Sequence, residues 1–299
     1  IFLTGHHTLY MACMIAIILR VADFDGVQLV LVGSIILGLI MALFPAMAQR
    51  HMRRITGNDD IAFGHFGTLG YVLSGFVGEA VGKGSKSTED MNLPKNLSFL
   101  RDSYISISLT MMVIYLMLAV LSGREFVETN LSNGDNYLVY AIIQAITFAA
   151  GVFIILSGVR LILGEIIPAF KGFSEKMVPS AKPALDCPVV FPYAPNAVLV
   201  GFLFSFLGGI VGLLVLGQLN MVLILPGVIP HFFCGATAGV FGNATGGRRG
   251  SMLGAFANGL LITFLPVMLL PVLGSLGFAN TTFSDADFGL VGIILGNMA

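Results

Sequence analysis

Between Asp186 and Asp285 the chain carries no acidic residue, and Arg248 and Arg249 are its only permanent cations there. So long an apolar run does not belong to a soluble domain, where about a quarter of residues are charged. Across the chain 10% of residues are charged and 56% are hydrophobic, with mean hydropathy +0.92. Several runs reach the ~20 apolar residues that one bilayer crossing requires. Lipid offers no partners for backbone polar groups, so such runs cross as helices. The expected fold class is all-α and polytopic, with the lipid bilayer as the first partner. A net charge of −1 leaves no basic footprint for nucleic acid. Cys13, Cys187 and Cys234 lie in apolar surroundings and define no disulfide framework. The chain opens inside an apolar stretch without a Met and stops just after another, so it reads as the middle of something longer.

Basic residues orient the runs, because cytoplasmic loops collect Lys and Arg. Ile1–Leu19 reads as a helix holding Thr4, His6, His7, Thr8 and Tyr10. Val27–Met47 is a crossing that ends at Arg50, His51, Arg53 and Arg54, on the cytoplasmic side. Ile61–Val81 is glycine-rich, and Lys83, Lys86, Lys95 and Arg101 follow it. With both flanks basic it cannot simply cross, so it reads as a re-entrant hairpin with His65 near its start. Tyr104–Leu121 goes out and Tyr137–Val159 returns. Arg160, Lys171, Lys176 and Lys182 then mark an interfacial amphipathic helix. Ala197–Leu216, Met221–Asn243 and Ser251–Leu273 are three further crossings.

Two segments look alike. Gly38–Met47 and Gly259–Met268 share Gly, Leu, Pro and Met at matching places, including Pro45 with Pro266. Each is followed by an acidic signature, Asp60-Ile-Ala-Phe-Gly64 and Asp285-Ala-Asp-Phe-Gly289. Acids precede and arginines follow the first segment; the order is reversed around the second. That pattern predicts inverted repeats, an architecture of alternating-access transporters, with a second re-entrant segment near 288–299.

Pro183–Asn196 holds Pro183, Pro188, Pro192 and Pro195 around one charge, Asp186. Prolines break helices and remove donors, and broken backbone at membrane depth must be buried in protein or line a wet cavity. An acid beside such a break is a candidate functional residue. Other polar residues where water is scarce are His65, Gln144, Asn196, His231 and Asn243. Neutral histidine both donates and accepts, and a carboxylate accepts two hydroxyl protons. This set suits a polyhydroxylated ligand better than an alkali ion. His231 and Cys234 sit three apart, but no further Cys or His is near in sequence, so no metal is expected. Gln144 reads as helix glue, and His7 and His51 as structural or solvated. No cofactor and no catalytic nucleophile is indicated.

Three passages carry a resemblance. They are Leu3-Thr-Gly-His6; Asp186-Cys187 with Tyr193-Ala-Pro-Asn-Ala-Val198; and Pro226-Gly-Val-Ile-Pro230 through Phe232-Phe233, Ala236-Thr237 and Gly239-Val-Phe241 to Gly246-Gly247. The chain resembles the ascorbate-type permease, the IIC component of the bacterial phosphoenolpyruvate-dependent phosphotransferase system. The resemblance implies a homodimer in the bacterial inner membrane that moves a core domain against a V-shaped dimerisation domain in an elevator-like cycle. Its first-repeat core would be 1–103, with the hairpin near 61–81. The scaffold helices and amphipathic helix would be 104–182, and the second-repeat core 183–299. It further implies a substrate such as ascorbate or a related sugar acid or polyol, phosphorylated by a phosphorylated IIB partner that IIA supplies. The matching substrate positions are His6, His65 and Asp186. Two positions depart from the family pattern, Tyr10 and Phe66, where that pattern has glutamines. They put ascorbate itself in question. The rival readings are a proton- or ion-coupled secondary transporter and, least favoured, a membrane enzyme.

Overall fold

The computed structural model describes residues 1–91, 103–178 and 180–298. The described chain is mainly helical. It forms two compact units, Ile1–Asp90 with Leu163–Ala299, and Met91–Ile162. Four helices are long and apolar enough to cross a membrane, or five if one bent pair counts as a span.

The larger unit begins with α1 (Gly5–Val21) and α2 (Gly26–Thr56). The second of these runs past the expected end at Met47 and carries the basic cluster within it. It stops at Gly57, whose φ of 72° is the left-handed closure that glycine tolerates best. Arg53 and Arg54 in its last turn complement the helix dipole. An extended segment, β1 (Ala62–Phe63), leads into α3 (Thr68–Val81). Only the second limb of the expected hairpin is therefore helical. Its 14 residues span about 21 Å, short of the ~30 Å hydrocarbon core. The basic flank expected at Lys95 and Arg101 lies outside the described residues.

Strand β2 (Ala184–Leu185) pairs in parallel with β1, and Phe2 bridges to Ala184 on the other side. Three distant segments thus meet around residues 183–185. Ala62 and Gly64 donate to the carbonyls of Pro183 and Leu185 at 2.9 and 2.8 Å. Leu3 donates to Ala184, which in turn donates to Ile1, at 2.9 and 2.8 Å. Buried backbone must find partners, and this small sheet supplies them where proline and glycine interrupt the helices. Any Cβ at position 64 would stand 2.5 Å from the Ala184 carbonyl oxygen, so only glycine fits. This strand pairing was not expected from the sequence, which read as all-helical.

A 3-10 helix, Cys187–Tyr193, follows β2, then α7 (Pro195–Gln218). Met221–Gly227 is not helical, contrary to the expected crossing from Met221. Pro226 and Pro230 delay the helix, which starts as a single turn, α8 (Val228–Pro230). It continues through a π-helical stretch, His231–Gly235, into α9 (Ala236–Ser275). The two crossings expected around Arg248 and Arg249 form one element bent at Gly246–Gly247. Gly247 has φ 55° and ψ −145°, and the loop at Lys86 docks into the bend, taking the Arg248 N–H at 2.8 Å. The last helix is α10 (Ala286–Gly296). Phe2, Met11, Ile15, Phe44, Phe66 and Phe288 build the apolar core among α1, α2, α9 and α10.

In the smaller unit α4 (Ser103–Ser122) turns by 101° at Gly123 into α5 (Arg124–Asn130). There α6 (Tyr137–Met177) begins. It continues unbroken across Pro168 for 41 residues, so among the described residues the crossing expected to end at Val159 and the amphipathic helix expected after it form one element. The side chains of Arg160 and Lys171, expected to mark its cytoplasmic end, lie outside the description.

Candidate functional site

The small sheet sets the site. Each of its three segments leads directly into polar residues of the site: the first into His6 and His7 at the start of α1, the second into His65, the third into Asp186. The Thr4 hydroxyl donates to the Gly64 carbonyl, tying the first segment to the second. Asp186 takes the Cys187 N–H at 2.6 Å and so opens the 3-10 helix.

His65 is nearly buried, and its hydrogen bonds fix its proton. Gly67 N–H, which can only donate, points at Nδ1 from 3.1 Å. Nδ1 is therefore the bare nitrogen, and the Tyr71 hydroxyl donates to it as well, at 2.9 Å. Cys187 Sγ stands 3.4 Å from that hydroxyl. The neutral ring thus carries its proton on Nε2, which faces Asp186 Oδ1 at 3.8 Å. His6 Nε2 approaches Asp186 Oδ2 at 3.9 Å from the exposed side. His7, buried, lies between the two other rings, with centroids 4.5 Å from His6 and 4.0 Å from His65. Its Nδ1 has no partner among the described residues. The two His–Asp gaps are too long for direct hydrogen bonds. Each gap leaves a carboxylate oxygen and a ring nitrogen unjoined to one another and able to bond a ligand's hydroxyl groups.

Two acids from the C-terminal end complete the surroundings. Asp285 Oδ1 takes the Cys234 S–H at 2.9 Å, and one ligating atom each from Cys234, Asp285 and His65 lies within 4.8 Å of the others. Asp287 is fully buried. It accepts the Thr68 and Leu69 N–H groups at 2.9 Å each, and its own N–H goes to the Phe66 carbonyl at 2.9 Å. A carboxylate from α10 thus caps α3 and holds the turn that presents His65.

Of the residues expected at the site, His6, His65 and Asp186 come together. Tyr10 stands one turn further along α1, 54% exposed, and no hydrogen bond among the described residues joins it to the group. Phe66 is 0% exposed, stacked on Phe2 at 4.8 Å and edge-on to Phe288. His7, read as structural or solvated, sits inside the cluster. His231 does not accompany Cys234; it bonds Ser205 at 2.9 Å in the α7–α9 seam. Asn196 and Asn243 hold the loop around Thr88. In the sequence Asp285 and Asp287 stand out only as part of the acidic repeat. The groups His7–His65–Asp186 and His65–Cys234–Asp285 have the spacing of metal ligands. With Nδ1 taken by two donors and Nε2 protonated, however, His65 offers a donor rather than a lone pair. That suits an oxygen-rich ligand better than a cation.

A multi-helix membrane protein with histidines and carboxylates gathered at interrupted backbone has the features of a solute permease. The family model EIIC-GAT, described as the PTS system sugar-specific permease component, matches residues 1–287. The chain belongs to this family, and is a multi-pass protein of the bacterial inner membrane. Among characterised proteins it is similar to the ascorbate-specific PTS system EIIC component of Mycoplasma pneumoniae. The two are 24% identical over 294 residues, covering 85% of this chain and 44% of that protein. The chain therefore spans less than half the length of this relative.

Proposed function

We propose that this chain forms the substrate pocket of a sugar permease whose cargo is phosphorylated by a phosphorylated IIB partner, itself supplied by IIA. The substrate is ascorbate or a related sugar acid or polyol. One observation carries the reading. His6 and His65 face a single carboxylate, Asp186, across gaps of 3.9 and 3.8 Å that leave both partners able to bond sugar hydroxyls. Tyr10 belongs at the exposed rim of this pocket, and Phe66 to the apolar wall behind His7, whose ring it meets at 5.9 Å. The phosphoryl group travels on IIB; this chain binds, orients and releases.

Inverted repeats, two re-entrant segments, a homodimer and an elevator-like cycle belong to the same proposal. Three short apolar helices, α1, α3 and α10, support the re-entrant part. The shared Pro45 and Pro266 segments and the paired acidic signatures support the repeats. The test is uptake into vesicles holding full-length protein with phosphorylated IIB. Substrate should accumulate only as its phosphate, and His65→Ala and Asp186→Asn should abolish it. Uptake of unmodified substrate that an uncoupler stops would mean ion-coupled transport instead.

A further inference from the structure

Asp285 is a further acid beside the pocket. Its Oδ1 is fixed by the Cys234 thiol at 2.9 Å, while Oδ2 takes no hydrogen bond from the described residues. A carboxylate can accept about four hydrogen bonds, so most of its capacity is unused. It is partly open rather than sealed in the core. One of its carboxylate oxygens lies within 4.8 Å of a His65 ring nitrogen, which places it beside the same histidine that faces Asp186. Asp186 stands on the same histidine at 3.8 Å. His65 is therefore flanked by two acids. Neither forms an ion pair with a lysine or arginine among the described residues.

Resting on the permease reading above, we propose that Asp285 is a second substrate-facing carboxylate that selects for neutral polyhydroxy ligands and against anionic ones. Two carboxylates and an Nε2–H donor offer a neutral diol acceptors for both of its protons and a donor for one oxygen. A ligand that carries its own negative charge, as ascorbate does at neutral pH, meets two like charges within the same pocket, and like charges at that range repel. Cys234 is a positioning residue: its thiol holds Asp285 toward the histidine.

The test is calorimetric binding of neutral hexitols and of ascorbate to the full-length, detergent-solubilised protein. Asp285→Asn should weaken hexitol binding by about tenfold or more, the worth of a hydrogen bond to a charged group, and should strengthen ascorbate binding. Cys234→Ala, which keeps the carboxylate, should weaken hexitol binding by a smaller factor, and Cys234→Ser, which keeps a donor, should restore it. Hexitol binding lost in Asp186→Asn but unchanged in Asp285→Asn and Cys234→Ala overturns this proposal and leaves the permease pocket standing. So does wild-type preference for ascorbate that Asp285→Asn does not increase. Absence of any binding that depends on Asp186 overturns the pocket itself, and this inference with it.

Discussion

His65 shows how single atoms decide the chemistry. Its Nδ1 is occupied by Gly67 N–H and the Tyr71 hydroxyl, so Nε2 carries the proton toward Asp186. Tyr71→Phe removes one of the two donors and leaves the ring packed. It should weaken substrate binding several-fold while the melting temperature moves little, which titration and a melt together would show. His65 was legible in the sequence because a histidine in a glycine-rich apolar stretch is conspicuous. Its tautomer was not, since that depends on Gly67 N–H geometry and on Tyr71, a turn further into α3. Far from the pocket, Asp59 takes Arg53 Nε at 2.8 Å and Gln49 Nε2 at 2.7 Å, and also pairs with Lys182. The hydrogen bond from Arg53, then those from Lys182 and Gln49, hold its carboxyl well below the usual carboxylate range. A depressed pKa gives stability that is present above the unfolded value of ~3.9 and is lost as pH falls through the folded one. The wild-type melting temperature should therefore drop below about pH 4 more than that of Asp59→Asn, with the difference shrinking in high salt because the pair is exposed.

At the scale of elements, the apolar runs were legible and the joints were not. Val27–Met47 and Ala197–Leu216 appear within α2 and α7 because their apolar composition alone demands helix in lipid. Strands β1 and β2 have two residues each, too few for any alternating pattern. What places them is backbone hydrogen bonding between segments far apart in sequence. The cap on α3 is hidden for the same reason, because its acceptor, Asp287, is on α10. Asp287→Ala would strand two buried N–H groups, at about 1–3 kcal/mol each. The melting temperature should fall clearly, and substrate affinity should fall with it, because the same turn carries His65. Asp287→Asn keeps one acceptor and should lie between. A melt unchanged in Asp287→Ala would mean that α3 needs no acid at its start.

For the whole molecule, the positive-inside pattern makes a claim about sides. Ser85 precedes Lys86 and pairs through Oγ with the Arg249 N–H at 3.2 Å, in the loop that fills the bend of α9. With the exposed Cys13 replaced, a cysteine at Ser85 should react with an impermeant reagent from the cytoplasmic side. Reaction only from outside would overturn both the orientation and the re-entrant reading of 61–81. The residues expected to carry the substrate divide physically. His6, His65 and Asp186 converge because each follows a segment of one small sheet. Phe66 turns into the core because adjacent residues at a tight turn face opposite ways. The central claim is that this convergence is the substrate pocket. Its most direct test is calorimetric binding of a sugar panel, ascorbate and neutral hexitols included, to the full-length protein beside His65→Ala and Asp186→Asn. The account predicts that a sugar binds and that both substitutions abolish its binding without unfolding the protein. Binding that survives both would contradict it.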